Sequence, residues 1–138
     1  MTLKEIITIE TIVIAPIEKV WAFWTKPEHI TQWNNASDDW HTTRAENDLR
    51  IGGKFLSRME AKDGSFGFDF EGIYTEVITN KKISYTILDD RKVTITFLQT
   101  ENGLQITESF EAENENSLEL QKLGWQAILN NFKKYVEK

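Results

Sequence analysis

The chain has 138 residues, 40% of them hydrophobic, which fits a single domain with one core. Its net charge is −6, and Lys and Arg cluster only in short pairs beside acids (Lys81–Lys82, Arg91–Lys92, Lys133–Lys134), which argues against nucleic-acid or anionic-membrane binding. With no cysteine, disulfides, thiolate nucleophiles and Cys-ligated zinc are excluded.

The first segment, "LKEIITIETIVIA", is β-branched and alternating. Ile7, Ile9, Thr11 and Val13 share one parity and Ile12 and Ile14 the other, which predicts a strand buried on much of both faces. The N-terminus lacks the apolar run of a signal peptide, and no window approaches the roughly 18 apolar residues of a membrane span. A soluble cytoplasmic protein is the expectation, so the Asn35-Ala36-Ser37 sequon is read as incidental. Next, "APIEKVWAFWTKPEHITQW" predicts two short helices. Pro16 suits a first turn, Ile17, Val20, Trp21 and Trp24 recur at helical spacing, and Pro27 ends one helix and opens another that carries Ile30 and Trp33 on one face.

From Trp40 to about Glu113 the period changes to two. The runs "WHTTRA", "GKFLSRME", "SFGFDFEGIYTEV", "KISYTIL", "KVTITFL" and "LQITESFEAE" are separated by Gly52-Gly53, Asp63-Gly64, Thr79-Asn80, Asp89-Asp90 and Asn102-Gly103. Turn residues between alternating runs predict six antiparallel strands in a meander. The last segment, "NSLELQKLGWQAILNNFKKYVEK", predicts a long amphipathic helix. Asn116 and Glu119 resemble a capping box, and Leu118, Trp125, Ile128, Leu129, Phe132, Tyr135 and Val136 form the apolar side. Gly124 interrupts this helix at about 1 kcal/mol relative to Ala, which a close approach to the sheet would explain. The order is β-α-α-β6-α, an α+β class.

The pieces "APIEKVWAFWTKPEHITQW", "ENDLRIGGKF", "FEGIYTEV" and "GWQAILNNFKKYVEK", in this order and spacing, resemble the START-like (SRPBCC, helix-grip) superfamily. Within it they are similar to bacterial domains related to the C-terminal domain of the activator of Hsp90 ATPase. The resemblance spans nearly the whole chain, taken as one domain over 1–138. It implies a curved seven-stranded antiparallel sheet around the C-terminal helix, often with a hydrophobic cavity between them. The sixteen aromatic residues, five of them Trp, are enough either to fill such a space or to line it.

Phe66, Phe68 and Phe70 alternate with Gly67, Asp69 and Glu71, so one strand face is three rings, expected to join Phe55, Ser57 and Met59 inward. Such rings serve as core or as pocket wall. Glu108 shares parity with Leu104, Ile106 and Phe110, so a regular strand turns its carboxyl inward and raises its pKa; a bulge or strand end would return it to solvent. Tyr85, Ser57 and Trp125 can offer a hydroxyl or N–H. His29 is expected to be exposed, and His41 lies in the polar run "DDWHTTRAENDLR", whose charges either pair at the surface or steady a loop. Neither histidine has a metal-ligand spacing, and Gly52-Gly53-Lys54 followed by Phe55 is a turn rather than a phosphate loop.

The leading expectation is non-catalytic binding of a small hydrophobic or amphipathic ligand, without cofactor or metal, by a monomer or homodimer. The ligand would be lined by Trp33, Trp40, Phe55, Met59, Phe68, Phe70, Tyr85, Glu108, Trp125 and Leu129. One alternative is a chaperone-interacting module, as the family name suggests. The other is a cavity-based cyclase or hydrolase with Glu108, His41 and Tyr85 converging, as helix-grip relatives include such enzymes.

Overall fold

A computed structural model describes residues 5–138. The elements follow the expected order: β1 (Ile6–Val13), α1 (Ile17–Thr25), α2 (Pro27–Trp33), β2 (Trp40–Asn47), β3 (Lys54–Ala61), β4 (Gly67–Ile78), β5 (Lys82–Ile87), β6 (Lys92–Thr100), β7 (Gly103–Glu111) and α3 (Leu118–Val136). Leu3 and Lys4, which the alternation includes in the first strand, lie outside the described residues. The strands form one curled antiparallel sheet in the order β1-β7-β6-β5-β4-β3-β2, an α+β helix-grip architecture. β2 to β7 are a meander, and β1 returns to pair with β7, placing Ile7 opposite Phe110 and Ile9 opposite Glu108.

Local chemistry explains the breaks. Lys26 is extended and Pro27 opens α2, because proline fixes φ and has no N–H to donate. Asn80 and Asp90 take positive φ at hairpin turns, where their short polar side chains tolerate the left-handed region. Register shifts at Thr42/Arg44 in β2 and Tyr74/Glu76 in β4 interrupt the pairing, as bulges in a curled sheet do.

Among the described residues only one face of the sheet is covered, which corrects the reading of β1. Ile7, Ile9 and Val13 are buried, whereas Ile6, Ile12 and Ile14 are exposed on the outer side. The core joins that inner face to Val93, Ile95, Leu104, Ile106 and Phe110 of the sheet, Val20 of α1, and Leu129, Phe132 and Val136 of α3. Over this half, Trp21, Trp24, Trp33, Phe97 and Phe132 meet edge to face or tilted, with centroids 4.8 to 5.7 Å apart. That is dense packing. His29 also belongs here, not in solvent: it stacks on Phe23 at 3.9 Å and its Nδ1 bonds the Tyr135 hydroxyl at 2.7 Å.

α3 starts one residue later than the capping pattern suggests. Ser117 is the N-cap and its hydroxyl accepts from the Leu120 N–H at 3.0 Å, while Asn116 bonds Glu113. The first turns of α3 then overhang the sheet. Leu118, expected on the buried side, is 47% exposed, and Leu120 and Leu123 are exposed with it.

Candidate functional site

Beneath that overhang is a cavity of about 570 Å³. Its floor is the inner face of β3, β4, β5 and β7, and its roof is the first half of α3 together with the segment after α2. Trp40, Phe55, Met59, Phe68, Phe70, Tyr85, Glu108 and Trp125 border it, with Trp33 at the packed end. Leu129 does not. It lies one helical turn beyond Trp125, is 1% exposed, and belongs to the core, because α3 has by then settled onto the sheet.

The aromatic residues divide into two groups. Among the described residues, ring contacts of Trp21, Phe23, Trp24, Trp33, Phe97, Phe132 and Tyr135 stay within the packed end. Those of the other nine stay around the cavity. Phe55 is the centre of the floor, 4.6 Å from Tyr85 and 5.4 Å from Tyr74. It lies across Gly72, where a Cβ would meet the Phe55 ring and the Thr86 carbonyl at 2.7 Å. Trp125 stacks on Phe110 at 3.9 Å and meets Phe70 edge-on at 6.2 Å, forming the roof. Phe66 is corrected from wall to lip: β4 begins at Gly67, so the alternation stops short of it, and it is 61% exposed beside Trp40.

Glu108 is the inward carboxyl that parity predicts. Its strand is in unbroken register with β1 and β6, so no bulge releases it, and it is 7% exposed. It has no hydrogen-bond or ion-pair partner among the described residues. No fully sealed side-chain oxygen or nitrogen among those residues lacks a partner, so the carboxyl oxygens are reached from the cavity. Burial raises its pKa to about 8. The Tyr85 phenol is pushed well above its ordinary value by burial first, then by Glu108 and Tyr74, with Arg91 opposing. Arg91 borders the same cavity, its Nε held 2.7 Å from Asp89.

Other polar groups are satisfied. Ser57 accepts from Asn34 Nδ2 at 3.2 Å, and Gln121 bonds Glu113 and Asn116 backbone groups. The Tyr74 hydroxyl donates to Asn47 Oδ1, and burial raises the phenol's pKa despite that bond. His41 does not join Glu108 and Tyr85. Trp40 and Thr42 on either side of it point inward, so alternation turns His41 to the outer face, opposite Glu60. Arg50 pairs with Asp48 and Arg44 with Glu46 at the surface. Among the described residues no group of His, Asp or Glu could hold a metal ion, and no helix is long and apolar enough to cross a membrane.

Several border residues were not anticipated. Tyr74 continues the parity of Phe68 and Phe70, and Leu120, Gly124 and Ile128 recur every fourth residue on α3, so both signals were present. Arg91 sits in a turn and has no periodic signature. Gly124 is also a correction: nothing lies within 4 Å of a Cβ there, so it faces the cavity rather than a close backbone neighbour.

A family model described as activator of Hsp90 ATPase homolog 1-like protein matches residues 14–137. The solution structure of an AHSA1-like protein from Aeromonas hydrophila is 44% identical, covering 96% of this chain and 92% of that one with a TM-score of 0.91. A solution structure from Cytophaga hutchinsonii is 54% identical over 94% of this chain and 90% of that one, with a TM-score of 0.82. A crystal structure from Chromobacterium violaceum is 25% identical over 96% and 97%, with a TM-score of 0.85. A comparison with curated proteins gave no match.

Proposed function

The chain belongs to the family of activator of Hsp90 ATPase homolog 1-like proteins, and from that premise we propose that it binds a small hydrophobic or amphipathic ligand between the sheet and α3, without catalysis. The observation that carries this reading is the open cavity of about 570 Å³, ringed by aromatic side chains and entered by one buried carboxyl that has no partner among the described residues. Apolar walls supply affinity and a few polar groups set orientation. A ligand burying about 300 Å² of apolar surface would gain roughly 7 kcal/mol, much of it offset by lost translational and rotational freedom. Affinity therefore depends on the polar groups as well. The same proposal treats residues 1–138 as one cytoplasmic domain, monomeric or homodimeric. Native mass spectrometry of protein purified from cells tests it: a retained small molecule supports the reading, and a uniformly ligand-free mass that no added amphipath shifts opposes it.

The family assignment favours a second reading, association with an Hsp90-type chaperone. The exposed leucines at the start of α3 give that reading an apolar surface to use. Measured ATPase turnover of such a chaperone, unchanged by excess protein, would remove it.

A further inference from the structure

We infer that the cavity selects an amphipathic amine, its cationic head against Glu108 and its apolar body against the aromatic walls; this rests on the ligand-binding reading above.

The first argument is charge. Of the carboxyl and basic side chains bordering the cavity, Glu46, Glu108 and Glu113 are acids and Arg91 is the base; Asp89 engages Arg91 at 2.7 Å and Arg44 engages Glu46 at 3.5 Å. An anionic head would find three carboxyl groups against one base whose Nε is already held by Asp89. A cation meets an acid-rich lining, and once Glu108 ionises beside it the low-dielectric walls strengthen the attraction.

The second argument is what Glu108 lacks. A buried carboxylate is normally paired or hydrogen-bonded, and this one is neither among the described residues. Its sheet neighbours Ile9 and Ile95 are apolar and offer nothing. An ammonium group would give it the missing counter-charge. The third argument is the rings: Tyr85, Phe55 and Trp125 present π faces and edges around the space, and aromatic faces attract a desolvated cation.

The pairing is linked to protons. Glu108 is held mostly neutral at pH 7 by burial, so seating a cation beside it expels its proton. Tyr85 on β5 interacts with it, and the other titratable groups around the cavity are Tyr74 on β4, Arg91 with Asp89 in the following turn, Glu46 on β2 and Glu113 after β7, while α3 presents uncharged Gln121 and Trp125. The tyrosines stay neutral through this range, since both are pushed upward.

The test is calorimetric titration of the full chain at pH 7 with decylamine, decanol and decanoate, which share a chain and differ in the head. Decylamine is expected to bind at least tenfold more tightly than decanol, with decanoate weakest, and to release close to one proton per amine when buffers of different ionisation enthalpy are compared. In Glu108→Gln the amine preference should fall to about threefold or less and the proton release should vanish. Equal binding of amine and alcohol by the unaltered chain overturns the inference while leaving the cavity reading intact. Binding of none of the three overturns both. An amine preference that survives Glu108→Gln comes from the net charge and also overturns it.

Discussion

Trp125 of α3 lies flat on Phe110 of β7, with ring centroids 3.9 Å apart and planes 11° from parallel. This stack ties the overhanging half of α3 to the sheet, so one side chain both supports the roof and faces the proposed ligand. Trp125→Ala should lower decanol affinity tenfold or more and destabilise the fold by about 2–3 kcal/mol, below the usual range for a buried ring because Trp125 is only partly buried. Trp125→Phe should retain most of both. Urea unfolding and ligand titration on the two variants separate loss of roof from loss of fold.

Gly124 faces open space, so its helix penalty has no compensating contact. Gly124→Ala should stabilise the protein by up to about 1 kcal/mol with little effect on the cavity. Gly124→Phe should project a ring into the space and weaken ligand binding at least tenfold while the fold persists. A thermal melt and a titration check both, and an unchanged affinity in the Phe variant would place the ligand elsewhere.

The carboxyl of Glu108 has a folded pKa of about 8 against an ordinary value of 4.5. Between these values the folded chain holds a proton that the unfolded chain has released, so stability falls as pH rises through this window and levels off above it. The full effect is at most on the order of 5 kcal/mol. Urea midpoints at pH 5.5 and 8.5 should differ in this direction for the unaltered chain. In Glu108→Gln the difference should largely disappear.

Gly72→Ala should destabilise by about 1–3 kcal/mol, because the new methyl meets the Phe55 ring and the Thr86 carbonyl at 2.7 Å. Adding Phe55→Leu should recover the ring's share and not the carbonyl's. A double-mutant cycle on urea stabilities measures that coupling.

Periodicity carried most of the architecture. Leu104, Ile106, Glu108 and Phe110 read inward from parity alone, and β7 is regular enough for parity to hold. Parity failed where a strand ended or lost its second cover: Phe66 precedes β4, and the outer isoleucines of β1 face no second layer. The apolar spacing of α3 could not distinguish Leu118, over the overhang, from Leu129, in the core, because that depends on where the helix lifts from the sheet. Arg91 reaches the cavity through a turn, and turn geometry leaves no repeating mark in a sequence.

The pairing of β1 with β7 brings together residues from opposite ends of the chain, as the Thr8 and Ser109 hydroxyls meet 101 residues apart at 3.0 Å. The hairpins from β2 to β7 close over short loops, whereas this seam closes a long one at a greater cost in chain entropy. Ile9 is the residue that covers Glu108 from that side. Fraying of this seam would open Glu108 to water on that side, so the raised pKa of its carboxyl depends on a contact made across nearly the whole length of the chain.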